Sequence, residues 1–260
     1  MAETDATMAV FLDLENIALG AKEAKFARFE IQLVLTRLLL RGHIVVKKAY
    51  CDFDRYKEFK RDLHEAAFEL IEIPHLRQSG KNSADIRMVV DALDLCYTKP
   101  HLDTFVVLSG DSDFSPLVSK LRENAKTVVG IGVKNSSSDL FINNCDDFIY
   151  YDDLVREKAE KKPQALPVQT NAAPASGGPT LQQALDQVAG TLGALVQERG
   201  DDPIWSSMLK PALKRRNPGF NERAHGFKSF NDLLRAAEKH GILTLEKNEK
   251  NGQLGVRRVE

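Results

Sequence analysis

The sequence predicts an α/β domain built on a parallel sheet, followed by a smaller winged helix-turn-helix domain. Three observations predict this. Short apolar runs alternate with helix-period segments over residues 9–151. A tract at 158–180 is rich in Pro, Ala and Gly and has no apolar periodicity. The last eighty or so residues read as three helices and then two strands. The expected organisation is therefore a first domain over 1–157, a flexible linker over 158–180, and a second domain over 181–260.

The elements follow in order. AVFLDL (9–14) is an apolar strand ending at an acid, and EIQLVLTRLLLRG (30–42) reads as a helix stopped by Gly42. IVVKKAY (44–50) is strand-like, 55–68 a helix, and LIEIP (70–74) a strand. SADIRMVVDALDLCY (83–97) sets Ile86, Val89, Val90, Leu93 and Tyr97 at helical spacing. TFVVLS (104–109) is a buried strand, PLVSKLREN a helix, TVVGIGV (127–133) a strand, and DFIYY (147–151) a last short strand. Apolar strands separated by helices form parallel sheets covered on both faces. Right-handed crossovers favour the strand order 3-2-1-4-5. In such sheets ligands bind beyond the carboxyl ends of the strands, where the order reverses.

Composition bounds the class. The chain has 260 residues, 43% hydrophobic and 28% charged, which is ordinary for a packed globular protein. No run approaches eighteen consecutive apolar residues, and the acidic start MAETDATMAVF lacks the basic region of a signal peptide. A cytoplasmic protein is the expectation. Cys51, Cys96 and Cys145 are odd in number and far apart, so neither a disulfide framework nor a zinc cluster is expected. Net charge is −1, but residues 1–162 carry −4 and residues 180–260 carry +3. That balance does not by itself announce nucleic acid.

The acids carry the chemistry. Asp13 ends the first strand; Asp111 and Asp113 follow TFVVLS; Asp85 opens a helix. If the first and fourth strands are neighbours, these carboxylates converge where the strand order reverses. Carboxylates brought together raise one another's pKa unless a cation sits among them. Mg²⁺ or Mn²⁺, hard ions that take oxygen ligands, suit such a cluster. Each acid alone has a plainer explanation: a strand end for Asp13, a helix dipole with a Ser83 cap for Asp85, and a turn and helix cap for the pair in SGDSDF. The three segments together point to a site. Asp91 lies six residues beyond Asp85, about 240° around the helix, and faces elsewhere.

FLDLEN, SADIRMVVDAL and VVLSGDSDFSPLVSKLRENAKTVVGIG resemble the NYN domain, a relative of PIN-domain nucleases, over about Met8–Asp153. The resemblance implies a Rossmann-like (PIN-like) sheet, an acidic pocket for Mg²⁺ or Mn²⁺, and endonucleolytic cleavage of RNA. At the matching positions it implies Asp13, Asp85, Asp111 and Asp113 as catalytic and metal-binding acids. Asn16 would orient a ligand or water, and Lys81 and Ser109 would touch phosphate or support the acids.

Other motifs fall away. Gly130-Ile131-Gly132 lacks the third glycine of a dinucleotide fingerprint, and His75 stands where a P-loop ending at Lys81 needs glycine. In FLDLEN the second acid is Glu15, which does not make a phosphatase nucleophile pair with Asp13. The six histidines lack metal-ligand spacing, and no Gly-x-Ser-x-Gly elbow occurs.

In the second domain, 181–199 reads as a helix ended by Gly200. A second helix follows with Ser206 or Ser207 as cap, and a third is capped by Ser229 and stopped by Gly241. ILTLE and QLGVRRV flank KNEKNG as a two-stranded wing. PGFNERAHGFKSFNDLLRAAEKHGIL resembles the LOTUS domain, also called OST-HTH, over about 181–259. That resemblance implies RNA binding or docking of a protein partner. Lys210, Lys214, Arg215 and Arg216 form a basic segment, read either as a phosphate contact or as a solvated helix face. Trp205, Phe220, Phe227 and Phe230 read as core. Three functions compete: an RNA endonuclease, a non-catalytic RNA-binding adaptor that retains a metal pocket, and a small-molecule phosphohydrolase. Four intact acids favour the first over the second, and the appended module favours it over the third.

Overall fold

The computed structural model describes residues 5–73, 83–160, 181–200, 203–247 and 254–259. The chain divides into two compact units, the first of Met1–Leu38 and Gly42–Pro163 and the second of Leu39–Arg41 and Gln164–Glu260.

The first unit holds β1 (Ala6–Asp13), α1 (Leu14–Glu23), α2 (Ile31–Leu38), β2 (Gly42–Cys51), α3 (Lys57–Glu65), β3 (Glu69–Glu72) and α4 (Ser83–Thr98). It continues with β4 (Thr104–Leu108), α5 (Ser115–Glu123), β5 (Thr127–Gly132), α6 (Asp139–Asn144), β6 (Asp147–Tyr150) and α7 (Tyr151–Glu160). The six strands are ordered β3-β2-β1-β4-β5-β6, and every neighbouring pair is parallel. The order reverses between β1 and β4, as the crossover rule predicts.

Strand periodicity divides the core. Met8, Val10 and Leu12 of β1, with Val106 and Leu108 of β4, pack against α1, α2, α3 and α7 on one face. Ala9, Phe11, Phe105 and Val107 point the other way, against Met88, Ala92 and Cys96 of α4, Leu117 and Leu121 of α5, and Phe141 of α6. Phe11 and Phe105 stack across β1 and β4 with centroids 6.0 Å apart. Central strands buried on both faces lack polar alternation, which is why they read as continuous apolar runs.

Several local expectations change. Gly42 does not stop a helix. α2 ends at Leu38, and Gly42 opens β2 opposite Ala6. A Cβ at Gly42 would lie 2.0 Å from the Ala6 carbonyl oxygen, so the residue is set by a close strand approach. Residues 14–23 form α1, a helix absent from the elements expected above; Leu14, Ile17 and Ala21 form its buried stripe. On α4 the expected apolar face is only partly the buried one: Val89 and Leu93 pack against the core, but Ile86, Val90 and Tyr97 do not. Met88, Ala92 and Cys96 are buried, whereas Ile86, Val90 and Tyr97 are 63%, 56% and 64% exposed. Ser83 is the first residue of α4. Of the linker expected over 158–180, residues 158–160 belong to α7, and 161–180 lie outside the described residues.

α1, α3 and α5 end without glycine. Lys25, Ala67 and Ala125 have φ of 61°, 56° and 56°. Each is followed by a six-to-one backbone bond, such as Lys126 N–H to the Leu121 carbonyl at 3.1 Å. These are Schellman terminations built on left-handed residues that carry a Cβ.

The second unit holds α8 (Leu181–Arg199), β7 (Ile204–Trp205), α9 (Ser206–Arg216), α10 (Phe230–Lys239), β8 (Leu243–Lys247) and β9 (Leu254–Arg258). Leu185, Val188, Leu192, Leu209, Leu213, Phe220, Phe230, Leu233 and Val256 form its core. Gly200 (φ +60°) and Gly241 (φ +71°) end α8 and α10, and Ser229 caps α10 by accepting from the Asp232 N–H, all as expected. The wing is three-stranded, not two-stranded: Ile204 and Trp205 pair antiparallel with Val256 and Gly255. A two-residue strand is too short for alternation to register in sequence. Ser206 and Ser207 lie inside α9; Trp205 occupies the N-cap position without a side-chain bond. The turn expected at KNEKNG (247–252) lies outside the described residues, apart from Lys247 at the end of β8.

Candidate functional site

The site forms at the carboxyl ends of β1 and β4 and the start of α4. Asp13 is the last residue of β1 and the N-cap of α1. It is only 8% exposed. Its Oδ1 accepts from the Asn16 N–H at 3.3 Å, and its Oδ2 accepts from the Ser109 hydroxyl at 2.9 Å. Ser109, fully buried after β4, also accepts from the Asp111 N–H at 3.2 Å. Asn16 Oδ1 accepts from the Gly110 N–H at 2.8 Å. Asn16 and Ser109 thus tie the β1–α1 junction to the segment after β4.

Gly110 is required by a third loop. A Cβ there would lie 2.2 Å from the Ser136 carbonyl oxygen, and the Ser138 N–H donates to the Gly110 oxygen at 2.8 Å. Asp111 caps the short 3₁₀ turn Ser112–Phe114, accepting from the Asp113 N–H at 2.9 Å. Asp85 lies in the first turn of α4, half-buried. Asp113 is exposed at the rim.

Charge shows which acids meet. Burial pushes the Asp13 carboxyl up to about 7 against the bonds from Ser109 and Asn16, and the nearby Asp85 and Asp111 push it further. Burial also raises Asp85, to about 6, with added repulsion from Asp111, Asp113 and Glu15. At one end of the sheet Asp13 is therefore within electrostatic reach of Asp85 and Asp111, and Asp85 within reach of Asp111 and Asp113. Glu15, set aside above as a nucleophile partner for Asp13, belongs to the same field and meets Arg55 at 3.6 Å. FLDLEN does carry it, but a strand periodicity extended past Asp13 misplaces it, because α1 starts at Leu14.

Asp91 stands apart, as its helix angle requires. It accepts from the Tyr50 hydroxyl at 2.8 Å and from Lys48 at 3.2 Å. Burial pushes its carboxyl up, but these bonds outweigh burial and hold it below the usual carboxylate value. Lys81 lies outside the described residues.

The donors are all oxygens, which fits a hard divalent cation. Among the described residues, no three Asp, Glu, His or Cys side chains are grouped closely enough to hold an ion jointly. The arrangement suits an ion held by one or two carboxylates and completed by water, as Mg²⁺ commonly is.

In the second unit the basic segment divides. Lys210 pairs with Glu222 at 2.7 Å, and Arg216 donates to the Gly190 carbonyl at 3.0 Å, while Lys214 is exposed. Phe220 and Phe230 are core, as expected, and Trp205 and Phe227 are partly buried.

A Rossmann-like sheet with acids at its switch point, followed by a winged helical unit, defines a class, and family models agree. The NYN domain model matches residues 7–152 and the OST-HTH/LOTUS domain model matches 183–254. The chain belongs to the NYN domain family and carries an OST-HTH/LOTUS domain after it. An uncharacterised protein of Methanocaldococcus jannaschii is 37% identical over 81 residues, 30% of this chain and 33% of its own length. Meiosis regulator and mRNA stability factor 1 of Bos taurus is 22% identical over 170 residues, 65% of this chain and 10% of that protein; its Mus musculus counterpart is 23% identical over 165 residues, 64% and 9%. The chain thus spans a third or less of these relatives. A Vibrio parahaemolyticus protein of unknown function superposes with a TM-score of 0.52 at 25% identity, covering 59% of this chain and 98% of its own. Among the described residues no helix is long and apolar enough to cross a membrane.

Proposed function

We propose that this protein is a cytoplasmic, metal-dependent endoribonuclease whose OST-HTH/LOTUS domain holds RNA. The observation that supports it most directly is the pair of raised carboxyls, Asp13 and Asp85, crowded with Asp111 at the switch point of the sheet. Carboxyls that are raised first by burial and further by one another suit a place where something positive is to be bound.

One or two carboxylates of the set Asp13, Asp85, Asp111 and Asp113 would hold Mg²⁺ or Mn²⁺, with water completing its shell and Asp113 at the rim. When bound, the ion supplies an activated water and stabilises the departing 3′ oxygen. The chain's own groups set the geometry. Ser109 and the Asn16 N–H fix both oxygens of Asp13, and Asn16 fixes the backbone that presents Asp111. Lys81 is proposed as a phosphate contact. The first domain carries net negative charge and repels a polyanion, so delivery falls to the second domain, tethered through a segment with linker composition. That domain is also a candidate for docking a protein partner.

A non-catalytic RNA-binding adaptor is the competing reading, and the lack of a three-donor cluster among the described residues favours it. One experiment decides. Purified protein is incubated with labelled single-stranded RNA, structured RNA and single-stranded DNA, each with Mg²⁺, Mn²⁺ or EDTA. Cleavage of RNA that EDTA stops supports the nuclease. Binding without cleavage in any metal supports the adaptor.

A further inference from the structure

Part of the stripe on α4 that apolar spacing assigns to the core faces solvent instead: Ile86, Val90 and Tyr97 are exposed, while Leu93 packs partly against the core. Ile86, Val90, Leu93 and Tyr97 recur at steps of four, three and four residues. Its first half forms one wall of a groove of about 700 Å³, within the range of small-ligand sites. Ile86 and Val90 of α4 face Pro116 of α5 and Leu140 of α6 across it. Leu140 is itself 58% exposed. Asp85 and Asp113 also line this groove, so it is continuous with the acid cluster.

A second observation points to an occupant. Ser115 lines the same groove, is only 7% exposed, and its hydroxyl has no hydrogen-bond partner among the described residues. Buried hydroxyls are normally paired, because leaving one unpaired costs free energy. The groove therefore offers aliphatic walls and one unused polar group beside a site for phosphate chemistry. A phosphate does not suit it, since its only charges are acidic. A flat, uncharged ring with a polar edge does.

We infer that this groove takes one unpaired nucleobase of the RNA, adjacent to the phosphodiester at the acid cluster. Ile86, Val90, Pro116 and Leu140 hold its faces, and the buried Ser115 hydroxyl, turned toward the groove about its Cα–Cβ bond, bonds its edge. This rests on the nuclease reading above and adds a substrate class to it. A base within a duplex has its faces stacked and its edge paired, so only a single-stranded nucleotide presents both. Because a hydroxyl donates and accepts, the groove discriminates weakly among the four bases.

The test uses the full chain and a short single-stranded RNA whose cleaved bond has been mapped, alongside the same RNA with one abasic nucleotide stepped along it. Val90→Glu changes an exposed side chain and leaves the fold intact; Ser115→Ala removes the unpaired hydroxyl without losing a described bond. With wild type, KM rises about tenfold when the abasic nucleotide lies beside the cut, with kcat little changed. Val90→Glu raises KM for the intact RNA by a similar factor and no longer distinguishes the abasic RNA. Ser115→Ala shows a smaller rise with unchanged thermal stability. If wild type cuts RNA but both variants match it at every substrate concentration, the groove has no such role and the nuclease reading stands. The base-binding role is equally overturned if Val90→Glu acts only by dissociating a dimer or releasing a bound protein, seen as a change in mass by light scattering. If wild type cuts no RNA, both readings fall.

Discussion

Replacing Asp13 by Asn should stabilise the metal-free protein, and by an amount that grows with pH. Burial and neighbouring acids raise the Asp13 carboxyl from 3.8 to about 7. The folded state therefore prefers the protonated acid. Its contribution to stability is fully present below pH 3.8, falls as pH rises, and is lost by pH 7. At roughly 1.36 kcal/mol per pKa unit, the ionised side chain costs the native state about 4 kcal/mol above pH 7, an upper figure because the site relaxes. Between pH 5 and pH 8 the change amounts to about 2–3 kcal/mol by the same relation. Asparagine keeps the shape and carries no charge. Its oxygen can accept from the Asn16 N–H, and its amide can donate to Ser109 Oγ, whose proton then turns elsewhere. The assay is urea unfolding in EDTA at pH 5 and pH 8. Trp205, the only tryptophan, lies in the second unit, so its fluorescence follows that unit and leaves the remaining circular-dichroism change to the first. The stability gap between Asp13→Asn and wild type should widen by about 2–3 kcal/mol from pH 5 to pH 8, and saturating Mg²⁺ should narrow it. A gap that does not vary with pH would refute the argument that Asp13 is held against its own charge.

Other outcomes follow from the same structure. Asp111→Asn retains the oxygen that accepts from the Asp113 N–H, so it should fold normally and lose metal-dependent RNA cleavage by at least about a hundredfold; undiminished cleavage by a nuclease-free preparation contradicts the catalytic assignment. Ala67→Gly and Ala125→Gly each relieve a left-handed residue and should stabilise the first unit by about 0.5–1 kcal/mol, measured by urea midpoint; a loss of stability would show that the conformation is not strained. Arg216→Ala removes the bond from α9 to the Gly190 carbonyl and should lower the stability of the second unit by about 1 kcal/mol, whereas Lys214→Glu should leave stability alone and weaken RNA binding at low salt. Deleting residues 165–260 should raise KM for RNA with little change in kcat, and unchanged KM would assign the OST-HTH/LOTUS domain to protein docking.

The sheet was legible because its central strands, such as Phe105–Leu108, are buried on both faces and bounded by helix-period segments. What was hidden depended on tertiary context. Gly42 resembles a helix stop until Ala6 lies against it. Helix ends at Lys25, Ala67 and Ala125 carry no glycine and so leave no mark in the sequence. On α4 the residues that reach the sheet are Met88, Ala92 and Cys96, and two of them are too weakly apolar to outvote Ile86, Val90 and Tyr97. The positions of Asp13, Asp85, Asp111 and Asp113 beside strand ends and a helix start were readable because such junctions are punctuated locally. Glu15 and Ser115 were not. One depends on where α1 begins, the other on a missing bond partner that only a packed interior can reveal.

The acid cluster draws on residues almost a hundred positions apart, since Ser109 must reach Asp13 and Gly110 must reach Asn16. Closing a loop of that length is entropically slow, and here it requires β4 to slot in beside β1. While the ribosome has released only β1 to α4, Asp13 has no Ser109 and Asp85 has no Asp111 near it. The loop from β5 that crowds Gly110 emerges later still. A growing chain therefore holds its carboxylates apart, and the site comes into being as one of the last events of synthesis of the first domain.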